Sequence, residues 1–177
     1  MSELYENIVN QRGGFEKILA RIPGFSGYID RAARRTADRM IRDYVAGLMT
    51  EQVNRLINVE KSLLKNGGLQ YMSETASVKT KLQTYRDRIK AAAPGYSGFM
   101  AARKIEAEQL EKLYAFDEAQ MRYADQFAVA IEALSTAVKE KSGIEEAIEA
   151  LDALTIEANE AFSLREQVLI DLDKSLS

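Results

Sequence analysis

The sequence predicts an all-α protein: an elongated antiparallel helical bundle, built from coiled-coil-like hairpins. Ala, Glu, Leu, Lys and Arg, all good helix formers, dominate the 177 residues. Only two prolines and ten glycines interrupt the chain, so breaks between helices are few. Apolar residues recur every three or four positions through most of its length, which is the period of a helix with one buried face.

The first long helix is predicted from Tyr28 to about Lys65, where the sequence Asn66-Gly67-Gly68 ends it. A helix of this length extends for roughly 57 Å at about 1.5 Å per residue, which favours an elongated molecule over a compact one. A shorter amphipathic helix follows it. The predicted inward positions of these two helices are Ala33, Ala37, Met40, Tyr44, Leu48, Met49, Val53, Leu56 and Leu63, then Val78, Leu82, Tyr85 and Ile89.

The second half follows the same plan. A long helix is predicted from Phe99 to about Lys141, and a capping box formed by Ser142 and Glu145 opens the last helix. The inward positions in this half are Leu113, Phe116, Tyr123, Phe127, Leu134 and Val138, then Ile144, Ile148, Leu151, Ala158, Phe162, Leu169 and Leu172.

A six-residue phrase occurs twice, as PGFSGY from Pro23 and as PGYSGF from Pro94, and each copy precedes a long helix. The segments ADRMIRDY and AEQLEKLY, further along each half, also align. These repeats predict an internal duplication within one structural domain. Its parts are an N-terminal amphipathic helical segment (residues 1–22), a first hairpin (23–93) and a second hairpin (94–177).

The charge is distributed unequally between the halves. Residues 1–93 carry 16 Lys and Arg against 10 Asp and Glu, whereas residues 94–177 carry 8 against 17. A basic half and an acidic half can attract each other within one molecule or between copies.

The composition argues against most catalytic chemistry. The chain has no cysteine and no histidine, which excludes disulfides, thiol and imidazole nucleophile systems, and zinc or di-iron sites that need these ligands. Catalysis would have to use carboxylates, lysine, tyrosine or hydroxyl groups. We therefore expect no enzyme activity, no catalytic residues, no cofactor and no metal.

No apolar stretch approaches the roughly 20 residues of a membrane-spanning helix, and the N-terminus lacks a signal-peptide pattern. We therefore expect a cytoplasmic protein, either free or peripheral to a membrane. Nucleic acid is not an expected partner, because the isoelectric point is about 5.2 and no aromatic-basic recognition motif occurs.

Two groups of residues are candidates for binding. An arginine cluster on the first long helix offers guanidinium groups to an anionic partner, or it is a solvated face that pairs with nearby carboxylates. Aromatic residues of the repeated phrase either cap the helix ends or contact a partner. The two groups are Arg31, Arg34, Arg35, Arg39 and Arg42 for the arginines, and Phe25, Tyr28, Tyr96 and Phe99 for the aromatics.

Two further features have a structural and a functional interpretation. Phe15, Ile18, Leu19 and Ile22 form an apolar face that either covers one end of the bundle or lies in a membrane interface. Asp117 follows Phe116 on an apolar face, where we expect partial burial; a pocket with two or more buried carboxylates there would favour an enzyme.

The order of these features is similar to that of the bacterial phage-shock and ESCRT-III-type membrane-remodelling proteins. In this chain, as in those proteins, a short amphipathic segment precedes a long helical hairpin whose first half is basic and whose second half is acidic. The resemblance implies peripheral membrane binding through the N-terminal segment and the arginine face. Composition and pattern instead favour a non-catalytic structural or adaptor protein, which contacts protein partners and copies of itself.

Overall fold

The computed structural model describes residues 2–91, 99–101 and 104–176. Every regular element in these ranges is helical, which confirms the all-α prediction. None of these helices carries an apolar stretch long enough to cross a membrane. The elements are α1 (Glu3–Val9), α2 (Gly14–Arg21), α3 (Arg31–Lys65), a 3₁₀ turn (Leu69–Tyr71), α4 (Met72–Lys90), α5 (Ala107–Glu140) and α6 (Ile144–Leu176).

Local capping fixes the start of α3 three residues later than predicted. The Asp30 side chain accepts hydrogen bonds from the backbone N–H groups of Ala32 and Ala33, both at 2.9 Å. These bonds satisfy two of the amides that a helix leaves unpaired at its start. Gly67, just beyond the end of α3, has a positive φ of 81°, a conformation that glycine adopts without strain.

The starts of α5 and α6 also differ from the prediction. Helix α5 begins at Ala107 and not at Phe99, and the Gln109 side chain accepts a bond from the Glu106 amide at its start. Helix α6 begins at Ile144, so the residue before it is Gly143 and the predicted capping position of Ser142 is wrong by one residue. Helix period predicts the body of a helix well, but short polar contacts decide its ends.

Each of the four long helices packs against two others: α3 contacts α4 and α5, and α6 contacts α4 and α5. Helices α3 and α4 run in opposite directions, since Arg42 donates to the backbone of Lys90 whereas Glu60 pairs with Lys79. Helices α5 and α6 also run in opposite directions, because Tyr123 bonds Glu157 while the earlier Asp117 bonds the later Arg165. The predicted inward positions lie in one shared core or pack against it, with the exception of Ala33, which is half-buried outside it.

Helices α1 and α2 cover this core from one side, where both pack on α5. Ile8, Ile18 and Ile22 are buried, whereas Leu19 is half exposed. The N-terminal segment therefore uses most of its apolar face inside the molecule. Gly14 permits close contact, because a Cβ atom there would lie 2.7 Å from the backbone oxygen of Tyr114 on α5.

Candidate functional site

The described aromatic residues of the repeated phrase converge on one buried cluster. Phe25, Tyr28 and Phe99 are at most 3 % exposed. The Tyr28 ring stacks on Tyr114, with ring centres 5.1 Å apart, and meets Phe99 edge-on at the same distance. Phe15 of α2 also contacts Phe25 and Tyr114. In this conformation these side chains close the core and are not available to a partner.

The second copy of the phrase is largely outside the described residues, and the predicted contact residue Tyr96 lies there. Of that copy, Phe99 is described, and it joins the aromatics of the first copy through Tyr28. Tyr114 holds the first copy in place by accepting a hydrogen bond from the Tyr28 amide at 2.8 Å. Gly27 is needed beside it, since its φ is 78° and a Cβ atom would lie 2.6 Å from the Tyr114 hydroxyl.

A buried ionic network lies next to this cluster and joins α3, α5 and α6. Arg165 is 1 % exposed, and it donates from Nε to Asp117 Oδ1 at 2.6 Å and from Nη2 to Asp38 Oδ1 at 3.1 Å. The Tyr28 hydroxyl donates to Asp117 Oδ2 at 2.5 Å. Arg42 donates to the remaining oxygen, Asp38 Oδ2, at 2.8 Å. All four carboxylate oxygens therefore accept bonds from protein donors.

Burial raises the pKa of Asp117, while the charge of Arg165 and the Tyr28 hydrogen bond act in the opposite direction. Burial also raises the pKa of Tyr28 well above its usual value, and the neighbouring Asp117 charge adds to this effect. Tyr28 is thus held as a neutral hydroxyl donor. The arrangement suits a fixed structural contact, because a buried, charged Asp117 is stable only while Arg165 is paired with it.

The sequence analysis singled out three members of this network, Asp117, Tyr28 and Arg42, but it predicted none of the hydrogen bonds that join them. Asp117 is fully buried, not partly buried as expected, and Asp38 pairs with Arg42 and Arg165. A signal for Arg165 was present: Phe162 and Leu169 are seven residues apart on the inward face of α6, and Arg165 occupies the intervening inward position. A charged residue at an inward position of an amphipathic helix indicates that a polar or oppositely charged partner lies in the core.

The structure divides the predicted arginine cluster. Arg34 is 3 % exposed and donates to the backbone oxygens of Phe99 and Ala101, so it holds that segment against α3. Arg42 is partly buried in the ionic network. The remaining three arginines, Arg31, Arg35 and Arg39, are exposed and form what we call the basic row.

Some of the basic residues of the first half form ion pairs with acidic residues of the second half within one molecule. Among the residues that the structure describes, five ion pairs join a basic residue of the first half to an acidic residue of the second half. The pairs are Lys17–Glu118, Arg21–Asp125, Arg55–Glu132, Lys81–Asp152 and Arg88–Glu166.

Two of the surface grooves between the described helices differ in character. The acidic groove, about 430 Å³, lies between the start of α4 and the start of α6, and Glu74, Glu145, Glu149 and Asp152 line it. The apolar groove, about 410 Å³, lies between α1, α5 and the C-terminal half of α6. In the part of the chain that the structure describes, no three carboxylates are grouped so that they could hold a metal ion.

Comparison with known proteins gives no relative. No family model matches the chain, and neither a curated protein nor a solved structure is significantly similar to it. Function must therefore be inferred from the chemistry of these surfaces.

Proposed function

We propose that this chain is a non-catalytic structural or adaptor protein that acts through protein–protein contacts and associates with itself. In this proposal the four long helices form an antiparallel bundle of two related hairpins. The packing of α3 on α4 and of α5 on α6 supports this arrangement, as does the repeated phrase before α3 and before α5.

The observation that carries the proposal is the separation of opposite charges along the molecule. The basic row lies in the first turns of α3, whereas the acidic groove lies near the other end of that helix, where Lys79 beside the groove pairs with Glu60. Arg35 and Glu60 are about 38 Å apart along the helix axis at about 1.5 Å per residue.

Such an arrangement favours head-to-tail contact, in which the basic row of one copy meets the acidic groove of the next. A heterologous contact of this kind produces open chains or rings. Arg31 and Arg35 form no ion pair with a described residue, and neither do Glu145 and Glu149. These four charges are thus available between copies.

We expect the average mass in light scattering to rise with protein concentration at tens of micromolar and to fall when salt screens the charges. The double variants Arg31→Glu/Arg35→Glu and Glu145→Lys/Glu149→Lys should each be monomeric. Mixed together, they should associate again, because each retains the surface that the other has lost.

The control for this experiment is Glu3→Lys/Glu6→Lys, which changes the charge equally on α1, outside both surfaces, and should associate as the wild type does. A wild-type protein that is strictly monomeric at these concentrations and captures no protein partner contradicts the proposal. Association that persists in both double variants contradicts the head-to-tail contact.

A second candidate function is peripheral binding to an anionic membrane. It is favoured by Ile29, which is 76 % exposed two residues before the start of the basic row. An apolar side chain next to several arginines suits a lipid surface, where each basic residue contributes roughly 1 kcal/mol.

If this second function holds, the protein sediments with anionic vesicles at low salt, and Arg35→Glu/Arg39→Glu or Ile29→Ser reduces the bound fraction. Glu145→Lys/Glu149→Lys should not reduce it, which separates membrane binding from self-association. Lys61→Glu/Lys65→Glu, at the other end of α3, is the matched control. Point variants are preferable to deleting residues 1–22, because deletion would uncover the core beneath Ile18 and Ile22. Equal binding to neutral vesicles would contradict this function.

A further inference from the structure

We propose that the apolar groove binds an amphipathic helix of a partner protein, with basic residues flanking its apolar stripe. This inference rests on the proposed adaptor function and names the partner chemistry that one surface fits. The groove is bounded by α1, α5 and the C-terminal half of α6.

The floor of the groove has the shape and spacing of a helix-binding surface. Leu164, Val168 and Leu172 follow each other at intervals of four residues on α6, which places them along one face over about 12 Å. Tyr5 of α1 forms the opposite side, and its ring is supported by Phe116 at a centre-to-centre distance of 5.6 Å. A helix that presents apolar residues at positions i, i+4 and i+7 matches two turns of this floor.

The rim of the groove is negatively charged. Glu160 and Asp171 lie on its α6 side, and Glu160 has no ion pair with a described residue. The one lysine of the rim, Lys112, is paired with Glu108 at 2.7 Å, which offsets its charge. Asp171 has an ion pair with Lys174, but that contact is long, at 3.9 Å, and exposed to solvent. Basic flanks on the bound helix would therefore face the unpaired Glu160 and the weakly paired Asp171.

A second copy of this chain is a poor occupant. Face-to-face pairing of two such grooves would bring the carboxylates of both α6 helices together. The large exposed apolar side chains elsewhere on the described surface are spread over several elements and do not form a row: Leu19, Ile29, Leu64, Leu69, Val129, Ile156 and Ile170. The negative rim and the apolar floor of the groove together indicate that its occupant is a different protein and not a second copy of this chain.

The experiment uses a fluorescent peptide of about 18 residues, with Leu at i, i+4, i+7 and i+11 and with Lys and Ala elsewhere. A second peptide replaces each Lys with Glu, and a third carries the same residues in scrambled order. Fluorescence anisotropy on the full chain should show binding of the first peptide, and at least roughly tenfold weaker binding of the other two.

Val168→Asp should weaken binding of the basic peptide by about tenfold or more, whereas Ile170→Asp, on the same helix outside the groove, should leave it unchanged. Val168 is partly buried, so circular dichroism must show that this variant is folded. Glu160→Lys/Asp171→Lys avoids this difficulty, since Glu160 is exposed and the Asp171 side chain is 62 % exposed. This double variant should bind the basic peptide more weakly and the acidic peptide more tightly than the wild type does.

Failure to bind the basic peptide overturns the inference, as does equal binding of the acidic peptide or unchanged binding to both folded groove variants. Light scattering of the Val168→Asp variant separates the two proposals. If it still associates head to tail while the wild type binds no peptide, the adaptor proposal stands and the inference about the groove fails. If peptide binding follows the expected pattern while no association occurs, the self-association proposal fails and the inference about the groove stands.

Discussion

Replacing Arg165 with methionine is expected to lower the free energy of unfolding by about 3–5 kcal/mol, the cost of removing one partner from a buried charge group. The substitution keeps the apolar stem but leaves Asp38 and Asp117 facing each other without the cation that both contact. For a chain of this length, that loss lowers the melting temperature by roughly 10 °C. Thermal and urea unfolding followed by circular dichroism measure it.

The matched control is Arg39→Met, because the Arg39 side chain is 80 % exposed and lies 3.6 Å from Asp43. An exposed pair of this kind contributes about 0.5 kcal/mol or less. A loss at Arg165 no larger than that at Arg39 would show that the network does not stabilise the fold.

The cost of Arg165→Met should decrease as the pH falls. Burial already raises the pKa of Asp117, and removal of Arg165 removes a charge that opposes this rise. A group with a pKa raised in the folded state destabilises the protein at pH values above that pKa, and this effect disappears once the group is protonated. Replacing both acids as well, in Arg165→Met/Asp38→Asn/Asp117→Asn, should recover part of the stability at neutral pH, since neither of the two buried acids then carries a charge without Arg165.

Replacing Gly14 with alanine is expected to cost about 3 kcal/mol, although alanine is the better helix former. The added Cβ would lie 2.7 Å from the Tyr114 carbonyl oxygen and 3.0 Å from the Ala115 nitrogen, both backbone atoms within α5. Because those atoms cannot move independently of the helix, α2 must shift outward. Its buried residue Ile18 would then become accessible to water.

Gly47→Ala is the control for this prediction. Gly47 lies within α3, and a Cβ atom there would meet nothing within 4 Å. The same substitution at this exposed position should stabilise the protein by about 0.5–1 kcal/mol. Hydrogen exchange should show lost protection in α2 for Gly14→Ala alone. Stabilisation of both variants alike, or no change of protection in α2, would contradict the close helix contact.

The helical period predicted most of the fold that positions these contacts. Val53, Leu56 and Leu63 of α3, and Leu82 and Tyr85 of α4, are buried where the pattern placed them. The period succeeds because packing removes water from one face of a helix, and that face recurs every 3.6 residues. Helix ends were predicted less well, since α5 begins at Ala107 and a few polar contacts set that position.

The candidate site was only partly accessible from the sequence. The basic row and the division of charge between the halves could be read directly, but the separate environments of Arg34 and Arg35 could not. These neighbours point in different directions, and carbonyl groups such as those of Tyr28, Phe99 and Ala101 make the inward position favourable for a charged side chain.

The sequence alone determined that the chain is helical, where its long amphipathic segments lie and that it has neither cysteine nor histidine, because composition and period are local properties. The tertiary structure decided that Arg165 joins Asp117 and Asp38, which are 48 and 127 positions away along the chain. It also decided that Phe25, Tyr28 and Phe99 face inward. A buried charge or ring is stabilised by partners on other helices, and those partners are known only once the helices have packed.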